Sequence, residues 1–474
     1  MRRGRKEYWI YDTLLFCIDA GREIRMKKFY IENLGCSKNQ VDAELLIKQL
    51  EEDDLQLTET ASEADLILVN TCGFIESARE QSIDTFFALH EANPDAKIIL
   101  SGCMAQRYAD ELQEQLPEAS AIFGNRNLSA IKDVVRKVFA GDRVVEVPSY
   151  PAPEKEVYER NELLSFPGSA YLKISEGCNH WCAYCAIPLI RGNLRSRPKQ
   201  TILSDAKALI KRGVREINLI AQDLASYGTD SADHTSRFME LLADLVTLEG
   251  DFVVRLLYIH PDAFPTELPA FIKQHKKVLP YFDIPFQHAD TAILRSMGRK
   301  GDKEQHLAMI EHIREVLPEA VFRTTILLGY PGEDEEAFAE VLDFLTRARL
   351  DWVGSFLYSR EEGTRAYALR GEKEHAKALK RAQGFQKQLE ALQSPITREN
   401  LKRFIGKEYD VLIEEPVKGE DLAIGRMYAQ APEVDGLTVV MGRNLKAGAM
   451  LRCGIRRVNG LDLEAIPLNG VTHG

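Results

Sequence analysis

No apolar run in this sequence reaches the roughly 20 residues that a membrane-spanning helix needs. Residues 1–25 hold neither a continuous apolar core nor a small-residue cleavage site, so no secretory leader is expected. Positive charge is in deficit as well. Lys and Arg number 61 against 72 Asp and Glu, for a net charge of −11. That balance argues against a large unassisted nucleic-acid surface, which draws on clustered Lys and Arg, and leaves room only for a local basic patch. Cysteine is scarce, with eight among 474 residues. Without a leader these thiols are expected in a reducing cytoplasm, where clustered cysteines more often mean metal or catalysis than disulfides. The rest is ordinary: 45% hydrophobic and 28% charged residues, over a length that suits two or three domains.

Three of the eight cysteines stand close together. Cys178, Cys182 and Cys185 follow the apolar run Ala170–Ile174 with C-x3-C-x2-C spacing, inside Ser-Glu-Gly-Cys-Asn-His-Trp-Cys-Ala-Tyr-Cys. Three thiolates in one loop can hold three corners of a cubane iron–sulfur cluster and leave the fourth iron open to a substrate or cofactor. A structural zinc ion wants four ligands, and His180, the nearest fourth, lies inside the loop and is poorly placed to close a tetrahedron. Zinc remains the alternative. A disulfide framework belongs to small secreted chains.

C-x3-C-x2-C after the first strand of an α/β domain is the signature of radical S-adenosylmethionine (SAM) enzymes. With Arg191-Gly192 and Arg195-Ser196-Arg197-Pro198 following, the stretch resembles the methylthiotransferases in particular. The resemblance implies that SAM chelates the open iron and is cleaved to a 5′-deoxyadenosyl radical. Tyr184, within the loop, is a candidate contact to the SAM adenine.

Residues 26–147 alternate strand and helix. Strands are expected at Phe29–Leu34, Leu66–Asn70, Ile98–Ser101 and Ile122–Gly124, with helices at Gln40–Leu50, Ile75–His90, Gln106–Leu116 and Ser129–Phe139, a pattern that predicts a doubly wound parallel sheet. Cys36, Cys72 and Cys103 each fall just beyond a strand C-terminus, where the loops of an open α/β sheet converge. A lone buried cysteine is a small hydrophobe. The same placement three times points to a second three-thiolate site. In the resembling family this domain carries an auxiliary cluster with an open iron, so the resemblance implies two [4Fe-4S] clusters. The wording Gly35-Cys36-Ser37-Lys38-Asn39-Gln40 and Asn70-Thr71-Cys72-Gly73-Phe74-Ile75 is similar to the RimO-type branch, which modifies a ribosomal protein. The tRNA-modifying branch has Gln-Met in place of Ser37-Lys38 and Val-Arg in place of Phe74-Ile75.

Met26-Lys27-Lys28 precedes the first strand and makes a natural start, so residues 1–25, with Cys17, are expected to be an extension. A native N-terminal peptide containing Arg22 or Glu23 would refute this. Residues 148–166 are rich in proline and charge and read as a linker. Residues 167–400 carry a second series with strands at Ala170–Ser175, Glu216–Ala221, Val253–Ile259, Tyr281–Phe286, Phe322–Leu328 and Trp352–Tyr358, as in a partial (β/α)6 barrel, whose active site lies at the strand C-termini. Gln222-Asp223, His260-Pro261, Gln287-His288 and Gly329–Glu333 share that mouth, although any one of them is more simply a turn or a solvated edge. Glu372–Lys402 reads as a solvated connecting helix. Residues 401–468 turn to short alternating runs, as in a small β-barrel, and resemble a TRAM domain. Residues 401–466 hold ten basic and ten acidic side chains, a balance that favours a protein target over bare RNA. Gln430 stands where the RimO-type pattern has aspartate. Cys453 is expected in the barrel core.

The resemblance implies methylthiolation of the β-carbon of an aspartate in small-subunit ribosomal protein S-twelve, in the cytoplasm and away from membranes, with electrons from a flavodoxin- or ferredoxin-type protein. The alternatives are the same chemistry on a tRNA adenosine, and a non-catalytic iron–sulfur protein that binds RNA.

Overall fold

The computed structural model describes residues 26–149 and 160–468. The extension 1–25 with Cys17, and the linker segment 150–159, lie outside the described residues. Six parallel strands form the first unit: β1 (Lys28–Asn33), β2 (Gln56–Leu57), β3 (Leu66–Thr71), β4 (Lys97–Ser101), β5 (Ala121–Phe123) and β6 (Val144–Glu146), in the order β2-β1-β3-β4-β5-β6. Alternate residues of β3 serve opposite faces. Leu66 and Leu68 join the helices Ser37–Glu51 and Ile131–Ala140, and Ile67 and Val69 join the helix side that carries Phe86 and Leu112. The edge strands β2 and β6, two and three residues long, are too short to register as a sequence period. The helix expected over Gln106–Leu116 is two, Gly102–Arg107 and Ala109–Gln115, broken where Tyr108 leaves helical backbone (φ −124°). Cys103 therefore lies in the first turn of a helix.

The second unit opens with β7 (Ser169–Lys173) and a short pair, β8 (Ser175–Glu176) with β9 (Arg195–Ser196). It continues through β10 (Glu216–Ile220), β11 (Val253–Leu256), β12 (Tyr281–Asp283), β13 (Val321–Leu328) and β14 (Trp352–Leu357). Parallel ladders join β7-β10-β11 and β12-β13-β14. The two meet where the Val254 N–H donates to Lys277 O (2.7 Å) and the Leu279 N–H to Val254 O (2.9 Å). Among the described residues no ladder returns from β14 to β7, so the barrel is partial. The helix Glu372–Leu401 is not a solvated connector. Its residues Ala378, Ala382, Phe385, Leu389 and Ile396 recur every three or four positions and are buried, several of them against the barrel, an apolar stripe that the many charges on the outer face mask.

The third unit is a closed five-stranded barrel of β15 (Glu408–Pro416), β16 (Leu422–Met427), β17 (Thr438–Met441), β18 (Met450–Asn459) and β19 (Asp462–Pro467), in the order β15-β16-β17-β19-β18. The unanticipated β19 pairs in parallel with β17 and closes it. Cys453 is buried in its core. Gln430 is fully buried, and its Oε1 accepts from the Met427 N–H (3.1 Å) and Thr438 Oγ1 (2.7 Å). It braces the barrel from inside and presents nothing to a docking partner.

One hydrophobic cluster links all three units, running from Val41 and Leu45 through Tyr171, Ile220 and Tyr281 to Val411, Ile413 and Cys453. Among the described residues no helix is long and apolar enough to cross a membrane.

Candidate active site

The order β2-β1-β3 places a reversal between β1 and β3, the switch point at which open α/β sheets bind ligands. Cys36 follows β1, Cys72 follows β3, and Cys103 follows β4 on the same edge. The loops interlock tightly. A Cβ on Gly35 (φ +103°) would lie 3.1 Å from the Cβ of Cys72, and one on Gly73 would lie 2.6 Å from the Met104 Cα. Asn39 braces the group. Its Nδ2 donates to Leu34 O and Thr71 O (2.9 Å each), and its Oδ1 accepts from Cys103 Sγ (3.2 Å). Burial pushes the Cys72 thiol up, and the Cys103 thiol up to about 12.

The second triad sits beyond β7. The Cys178 N–H donates to Gly192 O (3.2 Å) and the Cys185 N–H to Cys182 O (3.0 Å). Burial raises Cys178 to about 11 and Cys185 to about 12. No cysteine among the described residues is in a disulfide. His180 is engaged elsewhere: its Nε2 meets Asp223 Oδ2 at 2.7 Å, and its ring stacks on His260 at 4.0 Å. Among the described residues no three His, Cys, Asp or Glu converge on a single ion. Two all-sulfur donor sets of unpaired thiols fit iron–sulfur centres, and because thiols must deprotonate to ligate, loading would release protons.

The remaining mouth residues divide into supports and cavity walls. Asp223 is buried, and its Oδ1 accepts from the His260 N–H (2.9 Å) while Oδ2 holds His180. Burial, then the charges of Arg299 and His180, drives the His260 imidazole far below its ordinary range. His288 Nε2 meets Glu333 Oε1 at 3.1 Å, both buried, and Glu333 also accepts from the Gly329 N–H. Tyr184 stands between Cys182 and Cys185 in the second loop. Its hydroxyl accepts from Arg299 (3.2 Å), and its side chain helps line a cavity of about 220 Å³ with Phe74, Ile75, Gln287, Leu327 and Tyr358. Phe74 and Ile75 come from the Cys72 loop and Tyr184 from the Cys185 loop, so the loops of both triads contribute walls to one apolar space. Cys103 packs directly on Ala186 and Ile190.

The residues that join the two halves were missed in the sequence. Lys173 Nζ bonds Asp42 (2.5 Å) and Glu176. Arg191 bonds Asp42 (2.8 Å), Glu176 (2.9 Å) and Asn39 (2.7 Å), and its Nη2 lies 3.6 Å from Cys103 Sγ. Across the cavity, Glu361 is held by Arg79 and Arg107 at 2.6 Å each. A signal was present. The helix Ser37–Glu51 carries nine polar or charged residues among its fifteen, yet it is buried from Ser37 to Leu50, which buried charges tolerate only where partners neutralise them.

A partial parallel barrel with a three-cysteine loop above its first strand defines the class, the radical SAM enzymes. The Radical SAM superfamily profile matches residues 172–345, that of the Uncharacterized protein family UPF0004 matches residues 28–124, and that of the TRAM domain matches residues 405–467. The fold is shared with the radical S-adenosylmethionine methyltransferase TsrM from Kitasatospora setae (TM-score 0.51, 14% identity, covering 70% of this chain and 75% of that one). Relatives called ribosomal protein uS12 methylthiotransferase RimO are far nearer in sequence. That of Treponema denticola is 42% identical over 91% of this chain and 99% of its own, and that of Moorella thermoacetica is 41% identical over 90% and 96%. The chain belongs to this RimO family of radical SAM methylthiotransferases.

Proposed function

We propose that this enzyme adds a methylthio group to the β-carbon of an aspartate in ribosomal protein uS12, giving 3-methylthioaspartate. The observation that carries the reading is the pair of three-cysteine loops whose neighbouring residues Phe74, Ile75 and Tyr184 line one cavity. Cys178, Cys182 and Cys185 would hold the 4Fe–4S cluster that binds SAM, and Cys36, Cys72 and Cys103 a second, auxiliary one. The first supplies the radical that an unactivated C–H bond demands, and the second presents the sulfur. The chain's own residues keep the reaction enclosed. Phe74, Leu327 and Tyr358 give the cavity apolar walls, Tyr184 stands at the SAM side, and the Glu361 clamp holds its far wall. In this reading 26–147 is the auxiliary-cluster domain, 148–166 a linker, 167–400 the radical SAM domain and 401–468 the TRAM-like barrel. A small flavodoxin- or ferredoxin-type protein supplies electrons, in the cytoplasm where ribosomes are. The substrate in the relatives' name and the near-zero net charge of the C-terminal barrel support a protein target over tRNA.

The test is anaerobic reconstitution, iron counting, and incubation with SAM, reductant, sulfide and either uS12 or tRNA. The expected result is about eight irons per chain, as two four-iron cubanes require, and a methylthio mass gain on uS12. A gain on tRNA alone would overturn the substrate. About four irons with no gain on either would overturn the reading.

A further inference from the structure

Arg191 is the residue whose contacts are least explained by holding a fold together. It ends the short helix Ile187–Arg191 that follows the SAM loop, and its side chain is 2% exposed. Its Nη1 is spent on Glu176, within its own domain. Its Nη2 crosses to the N-terminal domain, where Asn39, Asp42 and Cys103 Sγ surround it. Arg191, Lys173 and the buried Lys38 face Asp42 and Glu176, and Asp283 acts on Lys38 from the barrel side. Lys38 rests on the Tyr258 ring (3.5 Å to its centroid) and makes no ion pair within 4.0 Å among the described residues. Of these cations it is Arg191 that reaches the Cys36–Cys72–Cys103 edge, where a three-thiolate iron–sulfur centre would bring net negative charge. The link also runs to the other triad, because Gly192, next in the chain, accepts the Cys178 N–H.

We infer that Arg191 is a positioning residue lent by the radical SAM domain to the auxiliary centre: its guanidinium donates to the Cys103 thiolate and fixes that corner against the SAM loop. This rests on the reading that Cys36, Cys72 and Cys103 hold a cluster. Hydrogen bonds to ligand sulfur and local charge set iron–sulfur potentials. A cation donating to Cys103 favours the reduced, more negative state, so removing it lowers the midpoint potential.

The experiment uses the full chain carrying C178A, C182A and C185A, so that only the auxiliary triad can bind iron, with Arg191, Arg191→Lys or Arg191→Met. Iron content, electron paramagnetic resonance of the reduced protein and redox titration are the readouts. Arg191→Met is expected to shift the reduction equilibrium at least tenfold towards the oxidised form, about 59 mV for one electron. Arg191→Lys, which keeps the charge but loses the planar fork, should recover part of that shift and still alter the line shape. Lys173→Met, which removes a cation of the same network that does not touch Cys103, should leave the signal in place. Wild-type potentials in both Arg191 variants, or an equal shift in Lys173→Met, would overturn the assignment. If Arg191→Met fails to fold, Arg191→Lys decides by its line shape and potential. Failure of the parent chain to bind about four irons would instead refute the auxiliary-cluster reading, and the assignment with it.

Discussion

Replacing Cys103 with alanine should leave a protein that cleaves SAM but transfers no sulfur. The two triads stand on separate scaffolds, one on the edge of the β1–β3–β4 sheet and the other above β7, so removing one thiol does not dismantle the other loop. Cys103 packs on Ala186 and Ile190, and alanine keeps most of that contact. Iron is therefore expected to fall from about eight to about four per chain, with 5′-deoxyadenosine still formed in the presence of reductant. Methylthio product on uS12 should fall by more than about a hundredfold, beyond the scale on which even a lost ligand support acts in metal sites. Cys182→Ala gives the opposite asymmetry, losing both 5′-deoxyadenosine and product. Chromatography of the nucleoside beside mass spectrometry of uS12 separates the two. Sulfur transfer at the ordinary rate by Cys103→Ala would remove the N-terminal triad from the chemistry.

The parts of the site that sequence made legible share one property: their spacing is local, or repeats against a strand. C-x3-C-x2-C is complete within eight residues, and Cys36, Cys72 and Cys103 each declare themselves by position after a strand. What stayed hidden depends on pairs far apart in the chain. Asp42 reads as one charge on a helix until Lys173 and Arg191 are placed beside it, and Glu361 does so until Arg79 and Arg107 arrive from the other domain. The burial of the polar helix Ser37–Glu51 follows from those partners, because a charge enters a core only with compensation. The role of Gln430 also stayed hidden, because Thr438, which donates to its Oε1, comes beside it only once the barrel closes. Edge strands such as β2 and β6 were lost because two or three residues carry too little period to be read.

The docking of the C-terminal barrel rests on another such pair, and Glu216→Gln should undo it. Glu216, on β10, is 3% exposed and meets Arg255 of β11 at 2.7 Å and Arg426 of β16 at 2.6 Å. Arg255 also donates to Tyr428 O, and Arg426 to Glu414. Without the carboxylate both guanidinia remain buried with less compensation, at a cost of about 3–5 kcal/mol. Burial alone would raise the Glu216 pKa, but Arg426 and Arg255 outweigh it and hold the carboxyl down at about 2, against an ordinary 4.5. Its contribution is thus complete above 4.5 and lost as the pH falls through the window to about 2, roughly 3 kcal/mol in all. Asp435, at the same junction and paired with Arg323 at 3.3 Å, runs the other way. Burial lifts it to about 6, so the folded protein takes up its proton first, and acidification from 6 towards 3.8 favours the folded state at that group. Loosening of the barrel should therefore begin below pH 4.5. Hydrogen exchange across β15–β19 in the full chain reads this directly. At pH 7 Glu216→Gln should exchange far faster there than wild type, and the difference should close between pH 4.5 and 2. A gap that persists unchanged at the acid end would mean that something other than the negative charge of Glu216 seats the barrel.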